Sequence, residues 1–380
     1  MIYSALLYLG LMCVMIFINE VSFQTHFATI GTRKRTNISY FAIFLFALIF
    51  GIRYDVGIDH LRYLESYELL KIPGIVNSDN DTELGFLFIG KLFAGLDLHY
   101  AFYFFVLAFL QLFLVFYAFR RNYKLVSWII LTFFLSTTFL NFMNGIRQEI
   151  AFCFELVALF YLSERKYLKC YLNIIFAILF HLSAVILLPL PLLFIKRENY
   201  FNKVSLQLIL YFLCLFVGYF IRPSELLFNS LMNTGLLELF GYEGYKYMVL
   251  GGDTNFIHAR REAGLGFLLI LIVNIINISL SKKIKEYYNS TFLNILYDFY
   301  YFGILYRFIT MGSLIFDRLN YYFYNIGFII SAFVLNYLFR NKSNKNTILF
   351  FSMLLIYILL FGAVIILRGE ESCAIYKMCF

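Results

Sequence analysis

The sequence predicts an all-α polytopic membrane protein with about 10–12 transmembrane helices, short or re-entrant segments included. Three observations carry that expectation. Of 380 residues, 62% are hydrophobic and 14% charged, whereas soluble chains carry about a quarter charged residues. Apolar runs close to the roughly 20 residues that cross a hydrocarbon core recur along the whole chain. The basic residues fall in short clusters between those runs. Because the runs are continuous rather than alternating over about ten residues, a transmembrane β-barrel is excluded.

The apolar stretches lie at about 1–18, 38–53, 84–119, 125–142, 146–162, 170–195, 204–221, 264–281, 291–311, 316–339 and 346–367. The first has no basic residues before it and no small-residue cleavage site after it, so it reads as a retained helix rather than a signal peptide. Six basic clusters punctuate the series: Arg33/Lys34/Arg35, Arg120/Arg121/Lys124, Arg165/Lys166/Lys169, Lys196/Arg197/Lys203, Lys282/Lys283/Lys285 and Arg340/Lys342/Lys345. The positive-inside rule assigns all six to the cytoplasm, which requires an even number of crossings between each pair. Two stretches need interpretation. The run 84–119 is too long for one helix, and its first part, Leu84 to Leu96, is too short to cross, so it reads as a re-entrant or interfacial segment before a true span. The run 170–195 lies between two basic clusters and is interrupted by His181-Leu182-Ser183, so parity makes it a broken hairpin turning near His181 and returning through Pro189 and Pro191.

Residues 1–380 then form a single transmembrane domain, with outer loops at about 54–83 and 222–263, the short turns 141–147 and 311–318, and the tail 368–380 on the same outer side. The formal charge of +8 follows the positive-inside pattern and does not indicate nucleic-acid binding. Cys13, Cys153, Cys170 and Cys214 lie in apolar runs as small hydrophobes, and only Cys373 and Cys379 in the tail are positioned to pair in an oxidising compartment. There is no P-loop, no His pair at metal-ligand spacing and no Ser-centred nucleophile elbow. Asp79-Asn80-Asp81, which has the form of a metal-holding acidic pair, reads instead as turn chemistry in a polar loop.

The six clusters of three account for 18 of the 31 Lys and Arg. Those left over are mostly Arg at the outer level: Arg53, Arg62, Arg147, Arg222, Arg260, Arg261, Arg307 and Arg318. A planar guanidinium suits bidentate phosphate binding, so the group reads as a site for a phosphorylated or carboxylated ligand. Salt bridges to Asp55, Asp59, Glu65, Glu149 or Asp317 are the structural alternative. The segment 51–63 packs two Arg, two Asp, two Tyr and a His just outside a helix, with Gly57 permitting a turn that aims Asp59 and Tyr63 back at the membrane. Asn144 is expected to cap the next helix, with Arg147, Ala151 and Glu155 on one face and Glu155 about 12 Å deeper than Arg147. Glu155 and Asp298 are intramembrane acids, each either functional or a partner for another helix. His181, at a forced break, is a candidate general base. Arg318, Tyr322 and Asn325 share a helical face whose aromatics form an interfacial belt or stack on sugars.

Five motifs in order carry a resemblance: residues 53–60 (RYDVGIDH) with Tyr63; Glu83-Leu84-Gly85-Phe86; residues 144–151 (NGIRQEIA); Phe180-His181-Leu182-Ser183-Ala184 ending at Pro189; and residues 318–323 (RLNYYF). Together they resemble the EpsG family of polysaccharide-polymerising membrane proteins, within the broader Wzy class, from about residue 40 to 335. Ile58 and His60 stand where that family usually has Thr and Tyr.

The resemblance implies a GT-C-like architecture in a bacterial inner (cytoplasmic) membrane, with the active site facing the periplasm or outside. It implies a polymerase joining oligosaccharide repeat units of O-antigen, capsule or exopolysaccharide carried on undecaprenyl pyrophosphate. Donor and acceptor are both lipid-linked glycans, and a chain-length regulator is a possible partner. On that reading Arg147 and Arg318, with Arg53, bind pyrophosphate; His181 or Asp59 takes the acceptor proton, with Glu155 a lesser alternative; and Tyr54, Arg62, Tyr63, Gln148 and Tyr322 contact substrate. No cofactor and no metal is expected, because the Arg residues supply the positive charge. The rivals are another lipid-linked-glycan transferase, such as an O-antigen ligase, and a flippase or transporter of the same lipid, for which pseudo-repeated halves are missing.

Overall fold

A computed structural model of the protein describes residues 1–30, 38–72, 83–194, 199–221, 223, 264–311, 314–368 and 375–378. The expected loop 222–263 (apart from Pro223), Asp79-Asn80-Asp81, Cys373, Cys379 and the clusters at 33–35 and 196–197 lie outside the described residues. The described chain is helical, with no strand among the described residues beyond an isolated bridge between Arg53 and Met378.

The helices are α1 (Ile2–Ile30), α2 (Tyr40–Gly51), α3 (His60–Leu69), α4 (Leu84–Ala94), α5 (Tyr100–Ala118), α6 (Tyr123–Leu135), α7 (Thr138–Asn144), α8 (Ile146–Ser163), α9 (Tyr167–Phe180), α10 (Leu190–Leu193) and α11 (Val204–Phe220). The series continues with α12 (Leu265–Tyr288), α13 (Thr291–Ile309), α14 (Leu314–Tyr324), α15 (Gly327–Arg340) and α16 (Asn344–Gly362). Among the described residues, five segments are long and apolar enough to cross a membrane: Ile2–Ser22, Tyr100–Ala118, Leu265–Tyr288, Phe316–Arg340 and Asn344–Leu367, with the bent pair α6 and α7 a sixth if it is one span. Five shorter apolar helices accompany them, so the expected mixture of full spans and short segments is present.

Three sequence expectations meet the structure at chain breaks. Leu84–Ala94 is a separate short helix, as its length required. After Phe180 the α-helix stops, His181 stands outside any helix, and Leu182–Leu187 continues as a 3-10 turn, so the break at His181 is real. The stretch 125–142, expected as one run, is instead bent by 74° between α6 and α7. The cause is local: Thr137 adopts φ +62°, and Ser136 and Thr138 pair their hydroxyls at 2.7 Å, drawing hydrogen bonding away from a continuous helix. The bend brings the end of α7 back toward the segment after α2, where Met143 accepts a hydrogen bond from Arg53. The stretch 38–53 is also shorter than expected; α2 has 12 residues, about 18 Å, which is less than a hydrocarbon thickness.

The chain forms two compact units, and α8, α9 and α15 each contribute residues to both. The first comprises Met1–Val157, Leu179–His181 and Leu338–Phe380. Within it α2 lies along α5, α1 lies against α2 and α6, and α16 lies against α6. Lipid tails are as apolar as Leu, so helices gain little by hiding apolar surface from them and must interlock instead. Here Phe does the interlocking. Phe46 and Phe50 have ring centroids 3.8 Å apart, Phe134 and Phe139 5.0 Å, and Tyr8 packs on Phe139 at 4.6 Å. Gln111 of α5 donates to the carbonyls of Phe142 and Ile146, which satisfies backbone at the α7–α8 junction.

The second unit comprises Ala158–Ile178 and Leu182–Tyr337. Polar side chains join its helices: Asn277 donates to Tyr300 and to Ser331, each at 3.0 Å, and Tyr300 donates to Asn274 at 2.8 Å. Asp298 has a structural task. It accepts from the backbone N–H groups of Tyr200 and Phe201 and from Lys285 at 3.2 Å, while Lys285 also donates to Asn199 at 2.7 Å. A buried acid with that many donors is the partner alternative of the two expected for Asp298, and it pins the segment 199–203 to α12 and α13.

Candidate functional site

Described parts of three expected outer segments, the loop 54–83, the turn 141–147 and the tail 368–380, meet inside the first unit with the start of α4 and the break at His181. The first is the turn after α2. Arg53 is buried, 1% exposed, between the rings of Phe50 and Phe104. It donates to the carbonyls of Phe50 at 3.1 Å and Met143 at 2.8 Å. Burial lowers its pKa to about 10, so it remains a cation at neutral pH. Expected at a pyrophosphate, Arg53 therefore lies behind the site wall and ties the turn to α7.

The rest of the turn is locked from two sides. Gly57 has φ +103°, and a Cβ there would stand 2.2 Å from Asn144 Oδ1. That approach allows the Ile58 N–H to donate to Asn144 Oδ1 at 2.8 Å. Asn144 thus serves the Arg53 turn rather than capping α8 as expected, and Gly145 forms the entry to α8. On the other side lies the C-terminal segment. Tyr54 donates its N–H to the Lys377 carbonyl at 3.0 Å, Lys377 pairs with Asp55 at 2.6 Å, and Tyr376 donates to the Ile49 carbonyl at 2.6 Å.

His60 is fully buried and stacks on Phe104 at 4.8 Å. Its Nδ1 accepts the Asp55 N–H, so Nε2 carries the proton of the neutral ring. Burial first, and then the Arg53 charge, lower it to about 4. Between the ordinary value of 6.5 and about 4, the unfolded chain takes up a proton that the fold rejects. Stability is therefore complete above the ordinary histidine range and falls as pH drops through it, by up to roughly 3 kcal/mol. The unfolding midpoint of detergent-purified protein is expected to fall between pH 7 and 5, and His60→Gln, which keeps an acceptor but does not titrate there, should flatten the curve. An identical pH dependence in the variant would assign the acid sensitivity to other groups.

The centre of the site is Glu83, at the start of α4. Its Oε2 accepts from Arg147 Nη1 at 2.5 Å and its Oε1 pairs with His181 Nδ1 at 2.7 Å. Gly85 makes this possible, because a Cβ there would meet the Leu179 carbonyl oxygen at 2.9 Å and hold α4 away from the end of α9. Burial alone would raise the Glu83 carboxyl, but the His181 hydrogen bond and the Arg147 charge outweigh it and hold the group below its usual range. An ionised carboxylate only accepts, so Nδ1 of His181 is the protonated nitrogen and Nε2 of the neutral ring carries a lone pair. Nε2 has no partner among the described residues. All three side chains keep some exposure: 12% for Glu83, 17% for His181 and 26% for Arg147.

Beside this trio runs an aromatic wall. The Arg147 guanidinium lies 5.9 Å from the Tyr63 ring and 6.0 Å from Phe86. Behind them Tyr67 and Tyr103 stack at 4.6 Å. Asp59 begins α3, where it caps no N–H through its side chain, and Arg62 and Tyr54 are exposed on the same segment. Gln148 follows Arg147, half-buried, in the first turn of α8.

The remaining candidates lie elsewhere. Glu155 is buried deeper in α8, with neither carboxylate oxygen hydrogen-bonded. Arg318 and Tyr322 belong to the second unit, where Arg318 is exposed and the buried Tyr322 hydroxyl pairs with Ser183 at 3.0 Å. Glu83 was missing from the expected site residues, and none of the acids expected to pair with Arg147 does so in its place. The signals were an acid directly before an apolar helix, and a Gly two residues later.

The chain matches the family model described as EpsG family over residues 37–378. It belongs to the EpsG family. That family is associated with Wzy-type polymerases of polysaccharide biosynthesis. The matched span begins ahead of α2 and ends at Met378, so in this EpsG-family protein it covers all five converging segments, including the tail residue that pairs with Arg53. No curated protein and no solved structure matches the chain.

Proposed function

We propose that this protein is a polysaccharide polymerase that joins undecaprenyl-pyrophosphate-linked repeat units on the outer side of the inner membrane. The observation that carries the reading is the Glu83 carboxylate held between a fork-shaped cation and an imidazole whose far nitrogen is open. Transfer from a lipid pyrophosphate has two needs: a base for the acceptor hydroxyl and positive charge for the departing group.

In the proposed reaction an acceptor hydroxyl of one lipid-linked unit attacks the anomeric carbon of the other. The new C–O bond forms as the bond from the anomeric carbon to the pyrophosphate oxygen breaks. The hydroxyl proton passes to His181 Nε2, and undecaprenyl pyrophosphate leaves carrying the negative charge. Arg147 binds that charge through the N–H groups not given to Glu83. Glu83 fixes the His181 tautomer and holds both side chains in place, and Arg53 positions the turn rather than touching phosphate. Tyr63 and Tyr54 offer ring faces to sugars, with Arg62 and Gln148 as polar contacts. Asp59 is the alternative base, since its side chain caps no helix N–H.

The test is reconstitution. Purified protein given a lipid-linked repeat unit should yield a ladder of longer lipid-linked glycans and stoichiometric undecaprenyl pyrophosphate, with no nucleotide sugar or ATP added. Transbilayer movement of the unit without any ladder would replace the polymerase reading with a transporter.

A further inference from the structure

At the other end of the first unit lies a cavity of about 450 Å³ between α1, α6 and the end of α15. Ser4 of α1 touches Tyr376 at the site described above, whereas Asn19 and Glu20 line the cavity. Fifteen residue steps from Ser4 to Asn19 separate the two along α1 by about 22 Å. The cavity is therefore distinct from the Glu83 centre.

The lining combines three chemistries at one level. Lys124 and Arg340 supply two cations against one acid, Glu20, whose Oε1 already accepts from Ser127 at 2.5 Å. Asn19 donates to Ser127 at 2.9 Å, which completes a polar floor. Trp128 packs on Phe339 at 5.3 Å and on Phe350 at 6.0 Å, and Ile16 and Leu131 add aliphatic surface. Lys124 and Arg340 come from two of the basic clusters, so the cavity sits where the charge pattern puts the membrane interface. A net positive mouth above an aromatic and aliphatic wall suits a ligand with a phosphate at one end and hydrocarbon at the other.

We infer that this cavity binds an anionic phospholipid of the leaflet on the basic-cluster side, the phosphate against Lys124 and Arg340 and an acyl chain along Trp128, Phe339 and Leu131. Trp128 is the chain's one tryptophan, so intrinsic tryptophan emission reports this cavity alone.

The experiment uses the full-length protein in nanodiscs bounded by a tryptophan-free scaffold protein and carrying acyl-brominated phosphatidylglycerol or acyl-brominated phosphatidylcholine, each diluted into unbrominated phosphatidylcholine. Brominated phosphatidylglycerol is expected to quench Trp128 at roughly fivefold lower mole fraction than brominated phosphatidylcholine. The difference should disappear in Lys124→Gln/Arg340→Gln. Equal quenching by the two lipids in the unmodified protein would overturn the inference, since it would make Trp128 a contact for any lipid, and that comparison needs no variant to fold. Emission that responds to inorganic phosphate in phosphatidylcholine discs, without any preference for the anionic lipid, would also overturn it and leave a free-phosphate site.

Discussion

Glu83→Gln is expected to lower the polymerisation rate by about a hundredfold or more, as much as His181→Ala, while the protein still folds and purifies. The side chain keeps its size, so the packing of α4 is preserved, but an amide cannot accept equally from Arg147 and His181. Its NH2 group faces a donor on one side, and the imidazole loses the acceptor that fixes its tautomer. The double variant Glu83→Gln/His181→Ala should be no slower than the worse single variant, because the two groups act as a unit. Removing the carboxylate also frees Arg147 for the donor, so KM for the lipid-linked donor should stay level or fall while kcat drops. Arg147→Lys should behave differently. It retains a charge but loses the fork that serves Glu83 and a phosphate together, so both kcat and KM should worsen, by about tenfold or more. Multiplicative losses in the Glu83/His181 double variant would show that the pair does not work as one device.

The sequence carried the fold class, and it singled out several of the residues that the first unit gathers. Subtracting the basic clusters left Arg53, Arg147 and His181 as residues needing an explanation; all three lie in one unit, and Arg147 and His181 share Glu83. Segments that the charge pattern puts on one side touch each other: Lys285 reaches Asn199 and Phe201, Phe339 packs on Trp128, and Lys377 reaches Asp55. Composition alone also foretold helices of mixed length. The partnerships were not legible, because each is settled by a close approach of backbone that spacing does not encode. Arg53 donates to Met143 only because Thr137 bends the chain by 74° ahead of it. Glu83 reaches His181 only because Gly85 lets α4 close on Leu179. In the 3.6-residue periodicity of a membrane helix neither event leaves a trace, since lipid-facing and protein-facing positions are both apolar. Glu155 is the reverse case. The sequence offered it as the lesser alternative base, and neither of its buried carboxylate oxygens is hydrogen-bonded, about two turns along α8 from Arg147.

Gly57→Ala is expected to destabilise the first unit by about 3 kcal/mol and to depress activity beyond that loss. Two separable causes act there. An L side chain at φ +103° is strained by about 1–3 kcal/mol wherever it sits. The new Cβ would also stand 2.2 Å from Asn144 Oδ1 and drive that side chain off the Ile58 N–H, leaving a donor unpaired at a cost of about 1–3 kcal/mol. The second cause depends on Asn144 and the first does not. Asn144→Ala alone should therefore cost only the hydrogen bond, and Gly57→Ala/Asn144→Ala should be more stable than additivity predicts, because the clash is gone and the bond is lost once rather than twice. Unfolding midpoints of the four proteins in one detergent measure the coupling directly. Activity should not recover in the double variant. The Ile58 to Asn144 bond is what ties the turn carrying Asp59 and Tyr63 to the helix that carries Arg147. Strict additivity of the two substitutions would mean that the turn and α7 are held together elsewhere, by the Arg53 bond to Met143 alone.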